Sequence, residues 1–323
     1  MSKVKYATIG IVLIILVIAG FVVFRARQRR SEVAYQTDEA LALIKDVNVK
    51  TVDGSSSWKK IQMTLQLLNI KDVPDDISGY KRELEYSKIA RSDISDMRGE
   101  LDTIRANHGS IGASLRKLDE VPLPDWINEY VMLKSLMVEK DGERTDVTEK
   151  LLDDLGLYYQ FSEIFMEGMI AQAQMEENLV GGVEAFEDED YLGARRLFQE
   201  ASDSNSIVQL RVDEASKLIN FDYFTRIDAN RRDAEDVIEK YLSIVDLVDE
   251  GAYQEADNLY QEAKVDYDVL LSQKLIPSDL LPEHQAWWSN NIEPKLEQTR
   301  QLTDDIDQLE AQLGEFYREH TTE

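Results

Sequence analysis

From Asp125 to Ile276 the chain contains no proline, and apolar residues recur there at i, i+3 and i+4 with only short polar interruptions such as Lys140 to Thr145. Helix must dominate such a stretch. The spacing repeats every 3.6 residues, and the residue that most effectively ends a helix is missing. Leu151, Leu155, Tyr158, Phe161, Phe165 and Met169 form its densest apolar stripe and read as core. With 15 glycines and 6 prolines in 323 residues, the chain lacks the turn chemistry of a many-stranded sandwich or barrel. At 43% apolar it can still bury a sizeable core. The expected fold class is all-α: an N-terminal transmembrane helix followed by long antiparallel helices, the C-terminal half repeat-like.

Upstream, Ser31 to Val47 has helical spacing, and the polar run Val52 to Ser57 is expected to close it. Trp58 to Val73 is amphipathic and stops at Pro74, where the aspartates of PDDISG offer an N-cap for a long helix beginning near Ile77. In that helix Ile94, Met97, Leu101, Ile104, Ile111, Leu115 and Leu118 step by three and four, with His108 at the one polar seam position and Gly109 and Gly112 as local interruptions. This is a coiled-coil-like seam, and His108 reads as a register-setting residue ahead of a ligand. Beyond Pro277 and Pro282 come Trp287 and Trp288, then a final helix through Leu302, Ile306, Leu309, Leu313 and Phe316.

Ala7 to Phe24 is an uncharged run of eighteen residues, about 27 Å as helix against a hydrocarbon core of ~30 Å. The expected organisation is a tail (1–6), a transmembrane helix (7–24) contacting the lipid bilayer, and a basic juxtamembrane segment (25–30). A coiled-coil-like helical region (31–121), a repeat-like helical region (125–276) and a C-terminal helical segment (277–323) follow. A cleaved signal peptide is the alternative for 7–24, but such apolar regions are shorter and end at small residues, whereas this one ends Phe24-Arg25. Arg25, Arg27, Arg29 and Arg30 would sit at lipid head-group level. Against Lys3 and Lys5 they favour, slightly, a cytoplasmic C-terminal domain in a single-pass cell-membrane protein.

The net charge is −27, and residues 1–31 hold six cations and no acid, so the remainder is more acidic still. Such a surface repels phosphate backbones, which argues against nucleic-acid partners. No cysteine is present, which removes thiolate chemistry and disulfides.

The most specific pattern is a pair of segments 62 residues apart. Ala194 to Ala201 reads ARRLFQEA and Ala256 to Ala263 reads ADNLYQEA, with Phe198 aligned to Tyr260 and Tyr191 to Tyr253. Alanines seven apart with an aromatic between them lie on one helical face and let a neighbouring helix approach closely. The arrangement resembles the second helix of a tetratricopeptide repeat: Gly251, Tyr253, Ala256, Tyr260 and Ala263 fit that pattern. Tyr191, Ala194, Phe198 and Ala201 fit it with Glu189 in place of the glycine. Gly182 falls where the first helix of such a unit wants a small residue, and Ile244 stands there in the second copy. The terminal proline is replaced by Ser206 and Asp268, and 62 is not a multiple of the family's period of 34. The resemblance covers two degenerate copies, around 178–201 and 240–263, and implies a protein-binding helical surface.

Sites for chemistry are not evident. His108, His284 and His320 are remote from one another in sequence, and no paired-histidine motif occurs. Asp188 to Gly193 fails as a calcium loop because Leu192 and Gln199 occupy ligand positions. No catalytic, cofactor-binding or metal residues are assigned, and the chain is not read as an enzyme. The leading expectation is a membrane-anchored helical scaffold or adaptor whose groove, lined by exposed aromatics, recruits an unidentified protein, with self-association left open. The rivals are a spectrin-like spacer and a membrane-tethered sensor domain.

Overall fold

The computed structural model describes residues 25, 27, 38–68, 74, 76–119, 125–273 and 277–321. Every regular element among them is helical. They are α1 (38–65 in its described part), α2 (Ile77–Asp119), α3 (Asp125–Glu187), α4 (Tyr191–Leu218), α5 (Tyr223–Asp249), α6 (Tyr253–Ser272), a 3₁₀ turn (Pro277–Leu280), α7 (Leu281–Asn291) and α8 (Glu293–Thr321). The all-α class is therefore observed.

The transmembrane helix expected ahead of these elements is corrected. Among the described residues no helix is long and apolar enough to cross a membrane, and residues 7–24 lie outside the described residues. The physical reason is charge. Even α3, with 63 residues, carries acids and bases along its whole length, each costing ~2.5 to 3.5 kcal/mol at a bilayer centre. Of the four arginines assigned to lipid head groups, Arg25 and Arg27 are helical and exposed, while Arg29 and Arg30 lie outside the described residues.

Two expected helix breaks are absent. The run Val52 to Ser57 lies inside α1, and Lys140 to Thr145 lies inside α3. Packing overrides propensity in both. Ser57 and Trp58 are buried in α1, and the Arg144 guanidinium of α3 lies over the Trp58 ring, 3.8 Å from its centroid. Elsewhere the start signal works as chemistry demands: Asp76 Oδ1 accepts from the Gly79 amide at the first turn of α2.

The chain forms two compact units that are not consecutive stretches of sequence. Of the described residues, the first takes those up to Lys60, those within Glu100–Asp146 and those from Arg300 on. Its core gathers Ala40, Ile44 and Val47 of α1, Ile111, Leu115 and Leu118 of α2, Ile127, Tyr130 and Met137 of α3, and Ile306 and Leu313 of α8. Four amphipathic stripes thus bury one another. A charged network crosses this core: His108 Nε2 lies 2.7 Å from Asp141 Oδ2, and Arg144 donates to Asp141 Oδ1 and, at 3.2 Å, to Thr303 Oγ1. Burial alone would push the Asp141 carboxyl up. The His108 hydrogen bond and the Arg144 guanidinium outweigh it and hold the group below its usual value.

The second unit takes Ile61–Gly99 and Val147–Thr299. Here the C-terminal part of α3 packs with α4, α5 and α6 around Leu179, Phe198, Tyr241 and Ile244. Ser87 of α2 and Ser162 of α3 share a buried hydrogen bond of 2.9 Å, a close approach that small side chains allow.

Candidate functional site

The corners of the two repeated segments share their backbone hydrogen bonds. At the corner between α3 and α4, Asp188, Glu189 and Asp190 donate their backbone N–H groups to the carbonyls of Glu184, Phe186 and Ala185. At the corner between α5 and α6, Glu250, Gly251 and Ala252 donate to Asp246, Val248 and Leu247, each partner 62 residues on. The left-handed residue falls at the same place in both, Glu189 with φ 63° and Gly251 with φ 78°. Asp190, considered above as part of a cation loop, instead caps α4 by accepting from the Gly193 amide at 3.0 Å.

The packing alanines follow the repeat, and the residues around them differ between the copies. Ala194, Phe198, Ala201, Ala256 and Ala263 are all buried. Phe198 lies against Gly182, where an added Cβ would stand 2.6 Å from its ring, and stacks on Tyr241 at 5.0 Å between centroids. In the second copy the buried Ile244 fills the Gly182 position, and Tyr260 stays only partly buried, donating its hydroxyl hydrogen bond to Glu187 and stacking on Phe186. Tyr191 packs edge-on against Phe186, while Tyr253 is 68% exposed.

Beside these hairpins lies a groove of about 680 Å³, within the size range of ligand and anchor pockets. One wall is α3 from Ala173 to Glu184, the others Ile77 of α2, Asn230 of α5 and the end of α6 at Leu270 and Leu271. Its floor is apolar, formed by Met175 and Leu179, with Val180 half-buried and Leu271 exposed at the edge. Among the described residues the lining includes no aromatic one; it is aliphatic and acidic, unlike the aromatic groove expected of a scaffold. Glu176, Glu177 and Glu184 are its only charged members among the described residues. Gln172 donates to Glu176, whereas Glu177 and Glu184 have no ion-pair partner among the described residues. None of these positions stood out in the sequence. The only written signal is the pair of small residues Ala173 and Gly181 on the same face.

A second unusual site is His284 on α7. It is 2% exposed, ringed by Tyr158, Phe161, Phe165 and Phe221 at 5.2 to 6.4 Å between centroids, and neither ring nitrogen has a hydrogen-bond partner among the described residues. Burial pushes its pKa down to about 4, so it is neutral at ordinary pH. Lys134, buried in the first unit with its ammonium 3.6 Å from Met137 Sδ, is likewise pushed down by burial, to about 8. Among the described residues neither has the second titratable partner that acid–base chemistry uses at hydrogen-bonding distance. Among the described residues no group of three or more His, Cys, Asp or Glu is placed to hold a metal ion.

No family model, no curated protein and no solved structure matches the chain.

Proposed function

We propose that this protein is a helical scaffold that holds another protein against the groove formed by α3, α5, α6 and the start of α2. The observation that carries the reading is the 680 Å³ groove itself, an apolar floor left open beside two packed helical hairpins. Burial of exposed aliphatic surface such as Leu271 and Val180 is worth roughly 25 cal/mol per Å² removed from water, and a partner side chain is what would cover it. A plain spacer has no use for such a cleft. Under this reading the hairpins fix the groove walls and the chain carries out no reaction.

The test is affinity capture from native cells with the full-length protein. A partner retained by the parent should be lost from the double variant Val180→Arg with Leu271→Asp, and kept by Leu210→Asp, which alters an exposed apolar residue of α4 outside the groove. Retention of the same partners by all three forms would exclude the groove as the docking surface.

A further inference from the structure

Among the described residues the groove is apolar at its floor and carries only negative charge at its rim, and that combination selects an occupant. Resting on the reading of this groove as a docking surface, we propose that it takes a basic amphipathic helix of a partner protein, apolar face inward and lysines or arginines against Glu177 and Glu184. The contributing part of α3, Ala173 to Glu184, is about 16 Å long at 1.5 Å per residue, which matches about three turns of a second helix. Glu177 and Glu184 lie seven residues apart on one face of α3, about 10 Å along the axis, with Val180 between them. A partner helix laid along this wall presents apolar anchors at i, i+4 and i+7 to Val180, Leu179 and Leu271, and cations flanking that stripe reach the two carboxylates. Among the described residues none that lines the groove is basic, and none of them pairs with those two carboxylates. A second copy of this chain, at −27, brings like charge to the same rim and is disfavoured. Specificity follows from the same contrast: acidic helices are repelled, and basic segments lacking an apolar stripe leave the floor uncovered.

The experiment is fluorescence anisotropy of three labelled 18-residue peptides with the full-length protein. The first has a leucine stripe flanked by lysines, the second the same residues scrambled to abolish the stripe, and the third the stripe flanked by glutamates. The first should bind at least tenfold more tightly than either of the others. Charge reversal by Glu177→Lys with Glu184→Lys should weaken it at least tenfold while strengthening the glutamate peptide, with an unchanged circular dichroism melt. The strengthened peptide is a gain that a damaged fold would not produce. Equal binding of the scrambled peptide would overturn the inference, by reducing it to attraction toward a generally acidic chain. Equal binding of the glutamate peptide, abolished by Leu271→Asp, would overturn the charge selection while leaving the groove a docking surface. Binding of the lysine peptide that is indifferent to Leu271→Asp, Val180→Arg and the charge reversal would overturn both. A dimer of the protein that the charge reversal abolishes would assign the groove to a second copy and overturn the inference too.

Discussion

His284 shows how a single buried polar residue links folding to pH. Its folded pKa of about 4 lies below the ordinary 6.5, so between those values the unfolded chain binds the extra proton. Stability is therefore complete above pH 6.5 and falls as the pH drops toward 4, by roughly 3 kcal/mol from this group. His284→Leu should raise the melting temperature at pH 5 and flatten the slope between pH 4 and 6.5, as measured by thermal melts across that range. A slope unchanged by the substitution would place the acid sensitivity elsewhere. The corner residues offer a second test at this scale. Glu189 holds a left-handed conformation that costs a side chain roughly 1 kcal/mol, and Gly251 holds it without that cost. Glu189→Gly should stabilise and Gly251→Ala should destabilise, each by about 1 kcal/mol in urea unfolding. The histidine's isolation from the other two was plain in the sequence. Its aromatic surroundings were not, because Tyr158, Phe161 and Phe165 come from a helix more than a hundred residues earlier in the chain.

At the level of elements, the 62-residue repeat was the most readable feature, because close helix packing writes itself as alanine and aromatic letters at fixed spacing. Ala256→Leu should overpack the buried face at about 1 to 3 kcal/mol, as should Ala194→Leu, while Asp257→Leu on the exposed face should cost far less. Gly182→Ala should also be costly, since the new methyl would meet the Phe198 ring. Equal melts for all these variants would remove the packing account. The same letters explain why the copies differ, for isoleucine at 244 takes the space that glycine at 182 leaves to an aromatic ring. Helix ends were less readable. The polar runs at 52–57 and 140–145 look like turns, yet they lie within helices because Trp58 and Arg144 stack where those two segments meet. Propensity gives way when a tertiary contact needs the helix to continue.

For the molecule as a whole, the helical class follows from the missing prolines and the 3.6-residue periodicity, but the two interleaved units do not. They depend on which faces of long helices meet, and periodicity says only that a face exists. The groove was hidden for the same reason. Its floor residues on α3 continue an ordinary apolar stripe, its rim carboxylates resemble any solvated face, and it is the end of α6, Asn230 of α5 and Ile77 that turn that face into a cleft. The account stands or falls on whether that cleft is occupied in the cell. The most direct measurement is site-specific photo-crosslinking of the full-length protein in living cells, with a photoreactive amino acid placed at Leu271 in one form and at Leu210 in another. A discrete crosslinked protein is expected from Leu271 and none of the same kind from Leu210. Crosslinks from Leu210 with none from Leu271, or identical products from both, would contradict it.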